Sequence, residues 1–173
     1  IAIGGGVVGD LVGFTASTYK RGINYINIPT TTLSQIDSSI GGKTAIDMGE
    51  VKNAIGTIYQ PNLVVIDFDT LKTLDKYQFS SGLVEALKAG LLSDEKIIDL
   101  FDDVYKNLEE IIFRSLKVKQ KIVEEDVFEK GIRKYLNLGH TIGHSIEILG
   151  NISHGEAVGL GMLYMIKNEE LKE

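Results

Sequence analysis

Strand-like apolar segments alternate with helical segments over the first 70 residues of this chain, and the strand pattern then stops. Short apolar runs at residues 1–3, 25–29 and 62–67 are typical of strands, and residues 10–19 and 32–39 between them are typical of helices. Such alternation favours a parallel sheet with helices on both faces. The sequence therefore predicts the rear part of an α/β domain over residues 1–70, with residues 62–67 as a buried strand.

The remainder of the chain has helical periodicity. Residues 79–92, 94–106, 108–126, 138–149 and 155–172 show this spacing, and Gly90, Gly131 and Gly150 punctuate them. We therefore predict a second, all-helical domain over residues 71–173. The chain opens inside a strand pattern without an initiator methionine and stops inside a helical one. We expect it to be an internal piece of a longer protein.

Composition excludes several classes of function. The formal net charge of −6 argues against bulk nucleic-acid binding, which needs a basic face. The longest apolar stretch near the end, residues 159–166, is too short to span a bilayer. The absence of cysteine excludes disulfides and thiolate metal sites. These features predict neither nucleic-acid nor membrane binding, while a local cationic pocket stays compatible with them.

All three histidines fall within fifteen positions of one another. His140 and His144 are four residues apart, so on a helix they share a face, and His154 follows a short turn. Because the chain has no cysteine, a metal here needs a carboxylate ligand and keeps an open coordination position. The alternative is that His140 and His144 are ordinary helix residues and His154 caps the turn. Spacing alone leaves both interpretations open.

A glycine-rich turn follows the first predicted strand. Gly4, Gly6 and Gly9 match the G-x-G-x-x-G pattern between a strand and a helix, with Gly5 inside it. Without Cβ atoms, the backbone amides can approach a dinucleotide pyrophosphate, and the helix N-terminus favours its charge. The sequence has no acid about 20 residues later to hold a ribose, but Asp10 follows the loop directly. A purely structural glycine turn is the alternative.

Polar residues are densest between positions 29 and 53. Residues 30–32 are three threonines after a strand end, and residues 37–44 resemble a phosphate-binding loop without full P-loop spacing. Lys52 and Asn53 add a cation and an amide. Such a set suits an anionic, hydroxylated ligand, because lysine attracts phosphate and the Asp and Thr side chains bond hydroxyls. A polar surface loop explains the same residues.

Two further groups of charged residues lie on predicted helices. Glu85 and Lys88 are three residues apart among apolar neighbours, which predicts either a helix salt bridge or a third metal ligand beside a lysine. Arg133 and Asn137 precede the first histidine at helical or turn spacing. Lys119 lies among other lysines, and its spacing does not distinguish it from Lys117 or Lys121.

Together these segments resemble the 3-dehydroquinate synthase family of sugar-phosphate cyclases. The resemblance follows the chain in order and covers almost all of it, through residues 4–10, 19–22, 29–33, 35–44, 52–53, 59–61, 69–74, 85–88, 137–144 and 154–158. It implies an N-terminal α/β NAD-binding domain, a C-terminal helical metal-binding domain and an active site in the cleft between them.

The resemblance also implies a reaction. The family converts 3-deoxy-D-arabino-heptulosonate 7-phosphate to 3-dehydroquinate and phosphate, with catalytic NAD and a divalent metal, Zn²⁺ or Co²⁺. This is a phosphate-eliminating lyase reaction of the shikimate pathway, which supplies aromatic amino acids. A cytoplasmic homodimer is expected.

Roles for individual residues follow only from this resemblance. The implied metal ligands are Glu85, His140 and His154. The substrate carboxylate is assigned to Lys119 and Arg133, and its phosphate to Lys43, Asn53 and Asn137, with Arg21 reaching the site of the neighbouring subunit. Residues facing the substrate hydroxyls and reacting carbons are Asp37, Lys88 and His144. The residues around NAD are Gly4, Gly5, Gly6, Gly9, Asp10, Thr30, Thr31, Lys52 and Thr73.

Some positions depart from the family pattern. Residues 47–49 replace a common Asn-His-Pro, and Asp75 stands where a proline often occurs. The family's N-terminal adenosine-binding strands and a C-terminal phosphate-binding lysine have no counterpart, so we expect residues 1–173 alone to be inactive. The alternatives are a cyclase of the 2-deoxy-scyllo-inosose or valiolone type, a metal-dependent polyol dehydrogenase, and a catalytically inactive scaffold module.

Overall fold

A three-stranded parallel sheet lies in the first part of the chain. The computed structural model describes residues 1–49, 51–150 and 152–170. Strands β1 (Ala2–Gly4), β2 (Ile26–Pro29) and β5 (Leu63–Val64) are hydrogen-bonded in the order β1-β2-β5. Ala2 pairs with Asn27, and Ile26 pairs with Leu63. The predicted parallel α/β arrangement is confirmed.

Helix α1 (Gly6–Thr18) covers one face of this sheet. Ala2 and Asn27 are buried, and the Asn27 side chain lies against Gly9 of α1. Strand side chains alternate between faces, so Ile3 points to the opposite face, where it is 63% exposed. Within the described residues, the prediction of helices on both faces is therefore confirmed for one face.

An antiparallel hairpin stands where a polar binding loop was predicted. Strands β3 (Lys43–Met48) and β4 (Val51–Ile58) pair across a turn that contains Gly49, whose φ of 62° is typical of glycine. The hairpin packs against α1, where Tyr25 and Thr44 lie close to Gly13. Its strand pattern of Val, Ile and Thr was obscured by the polar residues between them. The alternative interpretation of these residues as a polar surface loop is therefore wrong over Lys43–Met48 and Val51–Ile58.

The strand predicted over residues 62–67 is present, but it is shorter and less buried than expected. Only Leu63–Val64 form a strand, and Leu63 is 52% exposed. An apolar run suits a buried strand, but it cannot specify what packs on its two faces. A 3₁₀ turn, Phe68–Thr73, follows and is capped by the Asp67 carboxylate, which accepts a hydrogen bond from the Asp69 amide.

Helices make up the described chain from residue 76 onward. They are α2 (Lys76–Leu92), α3 (Lys96–Asp99), α4 (Val104–Glu125), α5 (His140–Gly150) and α6 (His154–Glu170). Short 3₁₀ turns occupy Leu100–Asp103 and Ile132–Asn137. The predicted change from strands to helices is confirmed. None of these helices is both long and apolar enough to cross a membrane, as far as the described residues go.

One predicted helix is interrupted. The pattern over residues 94–106 indicates a continuous helix, but α3 ends at Asp99 and α4 begins at Val104. The Asp103 carboxylate accepts a hydrogen bond from the Lys106 amide, so it caps α4. Aspartate at this position bonds the otherwise unpaired amides of a first helical turn, which favours a new helix start.

The helical core forms around α2 and α4. Buried residues of α4 recur three or four positions apart along one face, and these are Ile111, Ile112, Ser115, Val118, Lys119, Ile122 and Val123. They pack with apolar side chains of α2 and with Ile36, which lies in a π-helical turn over Ser34–Ser38. The short helix predicted for residues 32–39 is therefore present over residues 32–38, and it is π-helical from Ser34 to Ser38. The core thus joins the α/β part to the helices at the position where polar side chains gather.

Candidate active site

Glu85, His140 and His154 converge from three different helices. The Nε2 atom of His140 lies 3.8 Å from Glu85 Oε1, and Nε2 of His154 lies 3.6 Å from the same oxygen. Their ligand atoms all lie within 4.8 Å of one another. Two atoms that share a tetrahedral zinc at about 2.0–2.1 Å are about 3.4 Å apart. The spacing of this group therefore suits a divalent metal.

Burial of Glu85 supports the same conclusion. The residue is 2% exposed, and neither carboxylate oxygen has a hydrogen bond of good geometry among the described residues. An ionised carboxylate that is buried without donors is costly unless a cation is near. Lys88 supplies one cation at contact distance, one turn along α2. Two imidazole nitrogens face the remaining oxygen, which fits a metal ion as the missing partner.

Close helix packing produces this convergence. A side chain on Gly155, next to His154, would overlap the backbone oxygen of Ser81 on α2. The Gly155 amide donates instead to the Ser81 hydroxyl at 3.0 Å. Gly82, also on α2, is equally close to the backbone of Leu33. Glycine at these two contacts lets α2 approach both α6 and the π-helical turn, which places Glu85 between them.

The start of α6 is held by a capping box, which sets the position of His154. The Ser153 hydroxyl accepts a hydrogen bond from the Glu156 amide at 3.3 Å, and the Glu156 carboxylate accepts one from the Ser153 amide at 3.0 Å. Reciprocal bonding of this kind satisfies two otherwise unpaired donors of the first turn. The Tyr77 hydroxyl, on α2, donates to Glu156. The three groups therefore tie the first turn of α6 to α2.

The two histidines are affected differently by their surroundings. The nearby carboxylate of Glu85 raises the pKa of His154, although burial opposes this. Burial lowers the pKa of His140, and the Lys88 ammonium group adds to the effect. The Nδ1 atom of His140 lies 3.1 Å from the Leu138 carbonyl oxygen, so its Nε2 is free to face Glu85.

Lys119 and Asp37 form an ion pair beside the metal-ligand group. Lys119 Nζ donates to Asp37 Oδ1 at 2.7 Å and to the Asp37 carbonyl at 2.6 Å. Burial lowers the pKa of Lys119, although Asp37 opposes it. Burial raises the pKa of Asp37, but the charges of Lys119 and Lys88 outweigh it and hold that pKa below its usual range. Asp37 is therefore ionised at neutral pH.

Arg133 is held almost entirely out of solvent. It is 2% exposed, and its guanidinium donates to the Gly41 carbonyl at 2.9 Å and to the Val127 carbonyl at 2.6 Å. Gly41 has a φ of 106°, and a side chain there would meet the guanidinium. The glycine therefore lets Arg133 reach across from the helical part to the loop that precedes β3.

Most of the predicted substrate and metal residues line one cavity of about 280 Å³. Its lining includes Asp10, Asp37, Lys43, Asn53, Lys88, Lys119, Arg133, Asn137, His140, His144 and His154. Glu85 lies beside the histidines of this lining. Asp10 also lines an adjoining cavity between α1 and the hairpin. The lining combines the cations Lys43, Lys88, Lys119 and Arg133 with the candidate metal ligands His140 and His154.

Four of the nine residues predicted around NAD lie at the carboxyl end of the sheet, and these are Gly4, Gly5, Thr30 and Thr31. Gly4 ends β1 and its carbonyl accepts a hydrogen bond from the Thr30 amide at 2.9 Å. Gly5 precedes the first turn of α1 and packs against Thr31. Four more of the residues predicted around NAD lie in helical segments. Gly6, Gly9 and Asp10 are in α1, and Thr73 ends the 3₁₀ turn Phe68–Thr73.

Two of the predicted site residues, Lys52 and Arg21, lie away from the other predicted site residues. Lys52 lies on β4 and pairs with Glu147 of α5, at 3.1 Å. Arg21 is exposed in a 3₁₀ turn after α1, with a positive φ of 67°. It is absent from the cavity lining, so a role for it in this chain's own cavity has no support.

Two carboxylates were missed by the sequence interpretation. Glu129 pairs with Lys43 and accepts a hydrogen bond from Asn137 at 2.8 Å. Glu147 Oε2 lies 3.4 Å from His154 Nδ1. Glu147 follows His140 by seven residues, two helical turns on the same face, and this spacing is a signal that indicates its proximity. Glu129 has no comparable signal, because it lies in an irregular segment.

Curated relatives match this chain over almost its whole length or all of it. It is 49% identical to 3-dehydroquinate synthase of Lactococcus lactis subsp. cremoris strain SK11, over 99% of this chain and 51% of that protein. It is 48% identical to the enzyme of Streptococcus thermophilus strain CNRZ 1066, over 100% of this chain and 52% of that protein. The chain spans about half the length of these curated relatives.

Solved structures of two related cyclases have the same fold. One is 2-deoxy-scyllo-inosose synthase complexed with carbaglucose-6-phosphate, NAD⁺ and Co²⁺, with a TM-score of 0.87, 36% identity and coverage of 94% of this chain and 47% of that one. The other is 2-epi-5-epi-valiolone synthase from Streptomyces hygroscopicus subsp. jinggangensis with NAD⁺ and Zn²⁺ bound, with a TM-score of 0.83, 35% identity and coverage of 93% and 48%. These likenesses confirm the predicted fold class.

Both parts of the chain match models of known protein families. Residues 1–81 match the family described as 3-dehydroquinate synthase N-terminal, and residues 82–173 match 3-dehydroquinate synthase C-terminal. The matched segments contain the glycine-rich turn at the start of α1 and the convergent Glu85, His140 and His154, respectively. On these grounds the chain belongs to the 3-dehydroquinate synthase family.

Proposed function

We propose that this chain carries the metal site and substrate cleft of a 3-dehydroquinate synthase. The reaction converts 3-deoxy-D-arabino-heptulosonate 7-phosphate to 3-dehydroquinate and phosphate. One observation carries the proposal: the convergent Glu85, His140 and His154 adjoin a cavity that is also lined by the buried cations Lys88, Lys119 and Arg133. A substrate that is a polyol with two anionic groups suits this combination of residues.

The residues fit both cofactors. Glu85, His140 and His154 would hold a divalent ion, and the turn from Gly4 to Asp10 would hold NAD at the N-terminus of α1. When bound, NAD and the metal supply the hydride acceptor and the Lewis acid that cyclisation of a polyol phosphate requires. Solved relatives with NAD⁺ and Zn²⁺ or Co²⁺ bound support this assignment.

Charge in the cleft would bind the substrate at its two anionic ends. Lys119 and Arg133 would bond the carboxylate, since both are buried cations whose positions are fixed by contacts across the cleft. Lys43, Asn53 and Asn137 would bond the phosphate, as a separate group of the same lining. Fixing two ends of one flexible molecule orders its reacting carbons, which lowers the entropic part of the barrier.

Proton transfer would be carried out by other polar residues that line the cavity. Asp37 is ionised, because the charges of Lys119 and Lys88 keep its pKa low, so it can accept hydrogen bonds from substrate hydroxyls. Lys88 lies against Glu85 and lines the cavity, where its ammonium group can stabilise an oxygen that gains negative charge. His144 also lines the cavity, within one turn of His140. These three side chains are our candidates for handling protons.

Other features of the protein are proposed from the family. We propose that residues 1–70 belong to the NAD-binding domain and residues 71–173 to the metal- and substrate-binding domain. The exposed position of Arg21 supports a contact with a neighbouring subunit in a homodimer. As a biosynthetic enzyme of a central pathway, the protein is expected in the cytoplasm.

The test is phosphate release by the intact protein given the heptulosonate phosphate, a trace of NAD and zinc. Absorbance of NADH is recorded in the same sample. Stoichiometric release of phosphate without net NADH is the expected result, because the hydride returns to the substrate within each turnover. A folded, metal-loaded and NAD-bound protein that releases no phosphate would contradict the proposal. Accumulation of NADH would favour a polyol dehydrogenase instead.

A second cyclase activity has one observation in its favour. The solved structures with closely similar folds are 2-deoxy-scyllo-inosose and 2-epi-5-epi-valiolone synthases. Their reactions would be tested with sugar phosphates that lack a carboxylate. If Lys119 and Arg133 bind a carboxylate, such substrates should react at least about 100-fold more slowly in kcat/KM, because two charged hydrogen bonds are lost.

A further inference from the structure

Glu147 connects a candidate metal ligand to the hairpin. Its Oε2 lies 3.4 Å from His154 Nδ1, and its Oε1 accepts a hydrogen bond from Lys52 Nζ at 3.1 Å. The His154 ring therefore has a carboxylate on each side: Glu147 at Nδ1 and Glu85 at Nε2. Nothing in the proposed reaction uses Glu147, so its position requires another explanation.

We propose that Glu147 is a positioning residue that holds His154 in the orientation required to bind the metal. This inference rests on the proposed metal site. An imidazole that donates Nδ1–H to a carboxylate keeps its Nε2 lone pair free, and its ring cannot turn over without losing that bond. With Nδ1 held at Glu147, the free Nε2 of His154 points toward Glu85.

His140 provides an internal parallel. Its Nδ1 lies 3.1 Å from the Leu138 carbonyl oxygen, and its Nε2 also faces Glu85 Oε1. Each histidine of the candidate site thus has an acceptor behind it and the same carboxylate in front of it. In His140 the acceptor is part of the backbone, whereas in His154 it is a side chain, so mutation can remove only the second.

The surroundings of Glu147 favour a positioning role over direct ligation. Its second oxygen is already bonded to Lys52, and its side chain is 20% exposed, compared with 1% for Glu85. However, His144, Glu147 and His154 also have ligand atoms within 4.8 Å of one another. Direct binding of a second ion is therefore the competing explanation, and the experiment is designed to separate the two.

Cobalt(II) alone is the probe, because its visible absorption reports ligand geometry. Its dissociation constant, stoichiometry and spectrum are measured by competition with a chelator, on the intact protein and on the variants Glu147→Ala and Glu147→Gln. Glu110→Gln is the matched control, since Glu110 forms a surface ion pair with Arg114. Melting temperatures of all metal-free proteins are recorded to detect purely structural effects.

We expect Glu147→Ala to weaken cobalt binding about 10- to 100-fold and to change the cobalt spectrum, at a stoichiometry of one. Glu147→Gln, which retains an acceptor oxygen, should recover part of the affinity. Metal-free melting temperatures should match the control. If Glu147→Ala fails to fold, the comparison of Glu147→Gln with Glu110→Gln gives the same decision.

Three results would overturn the inference. Unchanged cobalt affinity in both Glu147 variants would show that His154 needs no such support. Affinity lost in parallel with metal-free stability would indicate a structural role only. Two ions in the unmodified protein, of which Glu147→Ala loses one, would make Glu147 a ligand. Failure of the unmodified protein to bind cobalt would instead refute the proposed metal site itself.

Discussion

Lys119 and Asp37 form an ion pair that joins the two parts of the chain. Lys119 is 8% exposed, whereas Lys121, on the same helix, is exposed. A buried charge retains its ionised form when a partner of opposite sign lies at bonding distance, as Asp37 does here. Burial therefore distinguishes Lys119 from Lys117 and Lys121, which are both exposed.

Replacing Lys119 with Met should reduce kcat/KM for the heptulosonate phosphate about 10- to 100-fold. A hydrogen bond to a charged group contributes about 1.5–3 kcal/mol, and each 1.4 kcal/mol is a factor of ten. Lys121→Met is the control and should stay within about twofold of the unmodified protein. Steady-state phosphate release measures both variants.

Loss of Lys119 also removes the hydrogen-bonded cation from Asp37, a partly exposed carboxylate, and we expect this to cost about 1–3 kcal/mol of stability. The folded fraction is therefore checked by circular dichroism, and the double variant Asp37→Asn/Lys119→Met restores charge balance. Equal activity of Lys119→Met and Lys121→Met would contradict the assigned role.

Asp10 provides a prediction about pH. Burial raises its pKa to about 6, Lys119 opposes this and Asp47 adds to it. The folded protein then holds the proton more tightly than the unfolded chain, whose Asp pKa is about 3.9. The destabilisation is absent below the unfolded pKa, and it develops as pH rises through about 6.

The variant Asp10→Asn lacks this ionisation, so its stability relative to the unmodified protein should increase between about pH 4 and pH 7. We expect a difference of about 1 kcal/mol, after allowing for screening by solvent at this partly exposed group. Denaturant unfolding at several pH values measures it. A difference that is constant with pH would show that Asp10 has an ordinary pKa.

At the scale of elements, the site depends on how closely α6 approaches α2. Gly155 lies against the Ser81 carbonyl. Among the described residues, a side chain added at Gly159, one turn later on α6, would meet Val84 at an ordinary contact distance of 3.5 Å. The two glycines lie on the same helix, but only Gly155 has too little space for a side chain. Contact at Gly155 involves backbone, which cannot move away as a flexible side chain can.

The variant Gly155→Ala should destabilise the protein by about 1–3 kcal/mol, as overpacking does, and should weaken metal binding by displacing His154 from Glu85. Gly159→Ala is the matched control, and it should be neutral or stabilising by up to about 1 kcal/mol because alanine favours helix. Thermal unfolding and cobalt titration measure both. A neutral Gly155→Ala would show that α2 and α6 are less closely packed.

At the scale of the whole molecule, a bound metal would link α2, α5 and α6. A ligand that binds only the folded state at 100 times its dissociation constant adds about 2.7 kcal/mol to stability. Chelator treatment of the intact protein should therefore lower its melting temperature, and zinc should restore it. Glu85→Gln should show neither change, because it removes the ligand common to both histidine contacts.

Local sequence patterns predicted the main helices and strands and several of the candidate site residues. The glycine-rich turn at Gly4 to Gly9 follows a strand and begins a helix, as its spacing requires. Helical periodicity located α2, α4, α5 and α6 to within a few residues. The turn and the helices depend on residues that are close in sequence, so they can be predicted without knowledge of the fold.

Contacts between distant residues required the tertiary structure. The sequence contains Glu85, His140 and His154 over a span of 70 positions, and only the packing of three helices brings them together. Burial likewise separated Lys119 from Lys117 and Lys121, and proximity revealed Glu147 behind His154. The sequence by itself determined the types of element and the chemical groups available. Tertiary structure decided which groups meet, because burial and proximity arise from contacts between residues far apart in the chain.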